Sequence, residues 1–258
     1  MSDREKRISL LAESLPLAVA DAGDGQTYLV LHGGAGPGSM MGLAQQLAQH
    51  GRAVVPTCPG FNAEPRPEWF ATVGDLALAF LALLERRNLS KVVLVGNSFG
   101  GWIAAEMALR HSPRIAGVVL LNGVGIDTGS PEKKIVDPSR VPPAERSALS
   151  FHDPSKGFPP PSPDQLAVIV ENQKTMRLYA GGPALFDPNL RARLGGISVP
   201  VLVAWGTSDR IVDADYGRLW AQSIPGARFH AIAEAGHFPH LEQPERVLGL
   251  IEDFGAGL

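Results

Sequence analysis

One stretch near the middle of the chain constrains the fold more than any other: Val92-Val93-Leu94-Val95-Gly96-Asn97-Ser98-Phe99-Gly100-Gly101. An apolar, mostly β-branched run leads directly into Gly-x-Ser-x-Gly, and helical spacing follows at once. This pattern predicts a buried strand, a tight turn and a helix, with Ser98 at the apex. A serine held in a strained turn needs close neighbours without Cβ atoms. Gly96 and Gly100 supply them, and Gly101 lets the helix pack close to the sheet. The competing reading is a buried strand that ends in a glycine turn with an incidental serine. The rest of the chain decides between the two.

On the N-terminal side, residues 8–22 predict an antiparallel hairpin at a sheet edge, followed by the turn residues Asp21-Ala22-Gly23-Asp24-Gly25. Strands are expected at 27–31 and 52–56. Helices are expected at 39–50 and at 72–87, the latter built on Val73, Leu76, Leu78, Phe80, Leu81 and Leu84. Beyond the central stretch come a helix over about 99–111 and a strand at 115–121. The α/β rhythm returns with strands at 199–205 and 228–233 and helices at 212–224 and 244–254. Strands alternating with helices imply parallel βαβ units, with the sheet buried on both faces.

The rhythm breaks after Asn122. Residues 123–190 carry Pro131, Pro138, Pro142, Pro143, Pro154, Pro159, Pro160, Pro161 and Pro163, a density that predicts no regular strand. One helix is expected within it, at about 164–179. A structureless loop of that length is unusual in a compact domain unless it is functional. Phe151, Phe158, Leu185 and Phe186 are costly to leave in water. The segment therefore reads as a cap inserted into a core formed by residues 1–122 and 191–258.

Composition bounds the function. A length of 258 residues suits one large α/β domain, and 45% hydrophobic content supplies its core. A net charge of −3 argues against nucleic acid or an anionic membrane as the main partner. Cys58 is the sole cysteine, which excludes an internal disulfide and a cysteine-based metal site. Its expected role is packing at a strand end. The charged start of the chain lacks the apolar run of a signal peptide, and no apolar run reaches membrane-spanning length. The expectation is a soluble cytoplasmic protein with no metal or other cofactor, acting on a small molecule. Nothing in the sequence speaks to its oligomeric state.

A serine hydroxyl is a weak nucleophile and needs a base within hydrogen-bond reach, itself oriented by a third group. In a parallel sheet such groups belong on loops at the carboxyl ends of strands. Ser98 follows one strand. Asp209, in Gly206-Thr207-Ser208-Asp209, and His237, in Glu234-Ala235-Gly236-His237-Phe238-Pro239, follow two others. Asp209 also suits a turn or a helix cap, and Asp213 and Asp215 compete with it from the following helix. His240, His32 and His230 compete with His237.

With these pieces placed, the chain resembles the α/β-hydrolase superfamily along nearly its whole length. The matching residues are Leu31-His32-Gly33-Gly34, Gly96-Asn97-Ser98-Phe99-Gly100-Gly101, Gly206-Thr207-Ser208-Asp209 and Gly236-His237-Phe238-Pro239, continuing into His240-Leu241-Glu242-Gln243-Pro244. The resemblance implies an α/β fold with a mostly parallel, twisted sheet of about eight strands, helices on both faces and an inserted cap. It implies Ser98 as nucleophile, His237 as base and Asp209 as the orienting acid. It also implies an oxyanion hole of backbone N–H groups from Phe99 and Gly34, with Ala35 as the second choice for the latter. His32 is expected to brace the glycine loop.

Serine at the elbow argues against the haloalkane dehalogenases and epoxide hydrolases of this superfamily, which carry aspartate there. Phe99 argues against proline iminopeptidases, which place tryptophan after the nucleophile. The sequence reading puts first the hydrolysis of a carboxylic ester of a small, mainly apolar substrate, through an acyl-enzyme. The glycine loop with Gly36-Pro37-Gly38, and Gly-Asn-Ser-x-Gly-Gly, resemble the meta-cleavage-product C–C hydrolases, which are the alternative. Those enzymes usually have tryptophan where this chain has Phe238. A small-molecule receptor that retains the triad is the reading from a different class. Phe151, Phe158, Met176, Tyr179 and Phe238 are the expected pocket residues, whereas Trp102 and Met107 are expected in the core. Lys133, Lys134, Lys156, Lys174 and Arg177 are the cations available to a substrate carboxylate.

Overall fold

The computed structural model describes residues 6–11, 14–130, 135–137 and 140–258; Pro131, Lys133, Lys134 and Pro138 lie outside these residues. The chain opens on a hairpin, β1 (Lys6–Leu10) and β2 (Leu15–Gly23). It continues through β3 (Thr27–Leu31), α1 (Met41–His50), β4 (Arg52–Pro56), α2 (Val73–Arg86), β5 (Val92–Asn97), α3 (Phe99–Ala108) and β6 (Ile115–Leu121). The proline-rich segment holds β7 (Gly125–Ile126), α4 (Pro143–Ser150), α5 (Pro163–Tyr179) and β8 (Phe186–Asp187). Then follow α6 (Leu190–Arg193), β9 (Val201–Gly206), α7 (Ala214–Ser223), β10 (Arg228–Ile232), α8 (Pro239–Glu242) and α9 (Pro244–Ala256).

The main sheet has eight strands in the order β1-β2-β4-β3-β5-β6-β9-β10. Only the pairings of β2, with β1 and with β4, are antiparallel. Period-two alternation divides the strand residues between two cores. Leu29, Leu94, Leu120 and Trp205 pack with Leu76 and Phe80 of α2, Ile103 of α3 and Trp220 of α7. Val30, Val95, Val119 and Ala204 pack with Leu43 and Leu47 of α1 and with Val247 and Ile251 of α9. Local chemistry starts the helices where burial needs them. Thr72 and Asp75 form a reciprocal capping box on α2, and Ser162 and Gln165 form one on α5.

The expected core strands and helices are present, with three differences in detail. Leu78, assigned from spacing to the apolar face of α2, is 52% exposed. The segment 123–190 contains a second helix, α4, and a parallel pair of two-residue strands, β7 and β8. Proline excludes long ladders but leaves room for these few hydrogen bonds. Finally, α5 has no single apolar face: Leu166, Val168, Ile169, Val170 and Leu178 are all exposed, and only Asn172, Met176 and Tyr179 are buried. Phe151 and Leu185 are buried as burial cost demands, whereas Phe158 remains 48% exposed.

The sheet and α3 meet too closely for side chains. A Cβ on Gly100 falls 2.1 Å from the Leu31 carbonyl oxygen, and one on Gly96 falls 2.3 Å from that of Gly100. Gly249, in α9, faces open space. Gly100→Ala is therefore expected to lose several °C of Tm or fail to fold, because backbone on both sides must move. Gly249→Ala is expected to raise stability by about 0.5–1 kcal/mol through helix propensity alone. Thermal unfolding of the two variants measures both.

Candidate active site

Strand β5 ends at the elbow. Ser98 has φ 55° and ψ −118°, a strained backbone for a residue that is not glycine. The turn is held both by its own helix and by neighbouring strand-end backbone. The Ser98 N–H donates to the Leu121 carbonyl (3.0 Å), and the Ser98 carbonyl accepts from Gly101 (2.9 Å) and Val124 (3.1 Å). α3 begins at Phe99 with no side-chain cap, so its first N–H groups and the positive end of its dipole point at the elbow.

The loop after β3 lies directly against the serine. A Cβ on Gly33 falls 2.9 Å from the Ser98 Cβ, so only glycine fits there. His32 holds this loop. Its Nδ1–H donates to the Gly33 carbonyl (2.9 Å), and its Nε2 accepts from the Cys58 N–H (3.0 Å). Burial pushes its pKa down to about 4, which keeps it neutral in the tautomer these bonds require. His32 is thus a brace, as expected. Cys58 is a packed, buried thiol whose pKa is raised by desolvation.

The loops after β9 and β10 bring the expected acid and histidine together. His237 Nδ1 donates to Asp209 Oδ2 at 2.7 Å, with both residues buried. The same oxygen accepts from Asn122 Nδ2 (2.7 Å), and Oδ1 accepts the N–H groups of Ile211 (2.8 Å) and Val212 (3.1 Å). Asp213, a rival acid by sequence, caps α7 by accepting from the Tyr216 N–H (2.9 Å). Asp215 pairs with Arg218. His240 lies in α8 and bonds the Ser39 carbonyl through Nε2 (3.0 Å), with its pKa pushed down to about 4 by burial. Asn97 links elbow to histidine loop, its Nδ2 donating to the carbonyls of Leu121 and His237, both at 3.0 Å. The Ser98 hydroxyl itself forms no hydrogen bond with the imidazole here; such contacts commonly tighten only with substrate in place.

Two further residues position this machinery without having stood out in the sequence. Asn122 follows β6 and bridges Asp209 to the Gly206 N–H (3.1 Å). Glu242, buried in α8, accepts from the N–H groups of Gly236 (2.7 Å), His152 (3.1 Å) and Asp153 (3.0 Å). It thereby ties the histidine loop to the end of α4. The available signals were an asparagine immediately after an apolar strand and an acid in a helix otherwise buried. Neither says which backbone groups it reaches.

The expected pocket residues fall into two groups around the site. Phe238 stacks on Phe151 (5.4 Å between centroids), meets Phe158 edge-on (5.1 Å) and lies edge-on to His237 (5.3 Å). On the other side, Tyr179 stacks on Phe99 (6.4 Å), and Met176 Sδ lies 2.8 Å from where a Cβ on Gly34 would sit. Trp102 and Met107 are buried in the core. Of the cations, Lys174 pairs with Glu171 (2.6 Å) and Arg177 with Asp137 (2.8 Å), and Lys156 is exposed. Among the described residues no cluster of three or more histidine, cysteine or acidic side chains is placed to hold a metal ion, and no helix is long and apolar enough to cross a membrane.

Neutral burial of His32 and His240 has a consequence for stability. Both folded pKa values are depressed, so above the ordinary histidine pKa of about 6.5 their contribution is fully present. As pH falls from there towards 4 the unfolded chain binds protons that the folded one refuses, and stability is lost. Tm is expected to drop across this window, and replacing either histidine by glutamine is expected to flatten the slope while lowering Tm at pH 7.5. Calorimetry across the pH range checks both signs.

The sequence matches the model of the alpha/beta hydrolase family over residues 28–250. It is 28% identical to a 2-hydroxy-6-oxo-6-phenylhexa-2,4-dienoate hydrolase of Burkholderia cepacia, across 91% of this chain and 89% of that protein. Among solved structures, an esterase from Exiguobacterium antarcticum superposes with a TM-score of 0.79 at 21% identity, covering 98% of this chain and 100% of the other. A meta-cleavage product hydrolase from Pseudomonas fluorescens superposes with a TM-score of 0.76 at 22% identity, covering 98% of both. With an eight-stranded sheet of this order and a family match over most of its length, the chain belongs to the alpha/beta hydrolase family.

Proposed function

We propose that this hydrolase cleaves a carbon–carbon bond beside a ketone carbonyl in a 2-hydroxy-6-oxo dienoate, with Ser98 as the nucleophile. The observation that carries this reading is the 28% identity, over 91% of the chain, to an enzyme named for such a substrate. The sequence reading put ester hydrolysis first; the named relatives favour the carbon–carbon alternative. In the proposed reaction Ser98 Oγ attacks the carbonyl carbon as His237 accepts its proton. Asp209 holds the imidazole in the tautomer with Nδ1–H and stabilises its charged form. The N–H groups of Phe99 and Gly34 receive the developing oxyanion, each donor typically worth about 3 kcal/mol in the transition state. Collapse breaks the carbon–carbon bond. For this the substrate must first ketonise, its 2-hydroxyl proton passing to C5. C5 then departs with an electron pair spread through the C3–C4 double bond onto the C2 oxygen, and the leaving group takes a proton from His237. Water then cleaves the acyl-enzyme by the same base.

In this reading residues 123–190 form a cap over the core of residues 1–122 and 191–258. Phe151, Phe158 and Phe238 on one side, and Met176 and Tyr179 on the other, make the substrate's apolar walls. Ester hydrolysis remains the second reading, favoured by Phe238, since meta-cleavage-product hydrolases usually carry tryptophan there.

The test compares two substrates. Bleaching of coloured 2-hydroxy-6-oxo-6-phenylhexa-2,4-dienoate is expected to proceed well above the turnover of short 4-nitrophenyl esters, and Ser98→Ala is expected to abolish both. Faster ester turnover would favour the second reading, and binding without turnover of either would favour a receptor. Asp209→Asn is expected to stay folded and lose about 10⁴-fold in kcat, because the imidazole is left in the wrong tautomer. Circular dichroism alongside steady-state kinetics separates that loss from unfolding.

A further inference from the structure

The C-terminal half of α5 is pinned over the site along one line of residues. Tyr179 donates from its hydroxyl to the Pro59 carbonyl (2.8 Å), Thr175 donates to the Gly60 carbonyl (3.2 Å), and Asn172 accepts from the Asn62 N–H (2.8 Å). These three contacts hold the helix to the loop after β4. They also fix where its other side chains sit. Gln173 and Met176, three residues apart and so on one helical face, lie over Gly34. The Gln173 Nε2 is 3.2 Å, and the Met176 Sδ 2.8 Å, from the place a Cβ on Gly34 would occupy. Gly34 adjoins Gly33, which touches Ser98. The Gln173 carboxamide is thus one residue along the loop from the proposed nucleophile, beside a proposed oxyanion donor.

Its oxygen is the unusual part. Gln173 Oε1 is buried and has no hydrogen-bonding partner in the protein. A buried amide oxygen without a partner is costly, and native structures rarely leave one so. The neighbouring Asn172 has both of its amide atoms engaged, with Asn62. Packing therefore satisfies one amide of this turn and leaves the oxygen of the next unpaired, with its carboxamide nitrogen beside Gly34. Met176, on the same helical face, adds an apolar thioether beside Gly34.

We propose that Gln173 is a specificity-determining residue whose Oε1 accepts a hydrogen bond from a hydroxyl on the acyl side of the attacked carbonyl, distinct from the 2-hydroxyl of a 2-hydroxy-6-oxo dienoate, which lies four carbons from that carbonyl. The inference rests on Ser98 as nucleophile and holds for carbon–carbon or ester cleavage. A site built to pair a hydroxyl rejects the analogue that lacks it, because the protein acceptor is then left unpaired. The unpaired atom is an acceptor, so the group it pairs with is a donor such as a hydroxyl rather than a carboxylate, which has no proton to give.

The test uses covalent capture, which does not depend on which bond is cleaved naturally. Two probes are compared: a 4-nitrophenyl phosphonate with an n-propyl chain on phosphorus, and its 2-hydroxypropyl counterpart. In each case Ser98 Oγ bonds to phosphorus, 4-nitrophenolate leaves, and the serine proton passes through His237 to solvent. The wild-type protein is expected to react about tenfold faster with the hydroxyl-bearing probe, as one hydrogen bond predicts. Gln173→Met, close in size and helix propensity, is expected to react with the propyl probe at least as fast as the wild-type protein and to lose the preference. Gln173→Glu, which retains an acceptor, is expected to keep the preference. Equal rates for both probes in the wild-type protein, or an undiminished preference in Gln173→Met, would overturn the proposal while leaving Ser98 in place. Absence of Ser98 labelling by either probe would instead remove the nucleophile, and the proposal with it.

Discussion

The Asp209 carboxylate is the junction on which the carboxyl edge of the sheet, where the candidate active site lies, depends. It accepts from His237 Nδ1, Asn122 Nδ2 and the N–H groups of Ile211 and Val212. These donors come from the loops after β6, β9 and β10, three neighbouring strands. A buried carboxylate is tolerable only when its lone pairs are filled, and here four donors fill them. The same bonds that stabilise the charge leave the imidazole a single orientation. The stability of this edge and the orientation of the imidazole therefore have one physical source.

Around that junction the strand ends are brought together by absent side chains as much as by present ones. Gly206 and Gly236 approach so closely that a Cβ on the first falls 2.1 Å from the carbonyl oxygen of the second. Gly236 in turn lies against Ser150, whose carbonyl accepts from the His237 N–H. Glu242 fastens the same backbone to residues 152 and 153. The proline-rich segment is consequently anchored at the histidine loop by its α4 end and at the loop after β4 by α5. Between those anchors α5 projects apolar residues into water over its first half, so its position owes little to burial of an apolar stripe. Polar contacts from Asn172, Thr175 and Tyr179 do that work instead.

Much of this was legible in the sequence, for reasons that differ between elements. Ser98 announces itself because a strained turn demands glycines at fixed offsets, and offsets are visible in one dimension. Asp209 and His237 follow because loops after parallel strands converge at one edge, so strand ends locate the candidates. The roles of Asn122, Glu242 and Gln173 were not legible. Each acts through a bond or contact to a residue distant in sequence, and nothing local distinguishes them from a turn asparagine, a helix acid or a surface amide. Leu78 was misjudged for a related reason. Helical spacing identifies a potential apolar face, but only the presence of an opposing element buries it.

By itself the sequence determined the α/β alternation, the elbow and the identities of the nucleophile, base and acid candidates, because steric and periodic constraints act over a few neighbouring residues. Only the tertiary structure decided which acid meets the imidazole, with Asp209 taking that place and Asp213 capping a helix. Only it turned His32 and His240 into neutral braces and set Gln173 above the glycine loop after β3. Those outcomes depend on burial and on distances between segments far apart in the chain, and such distances exist only after the sheet has assembled.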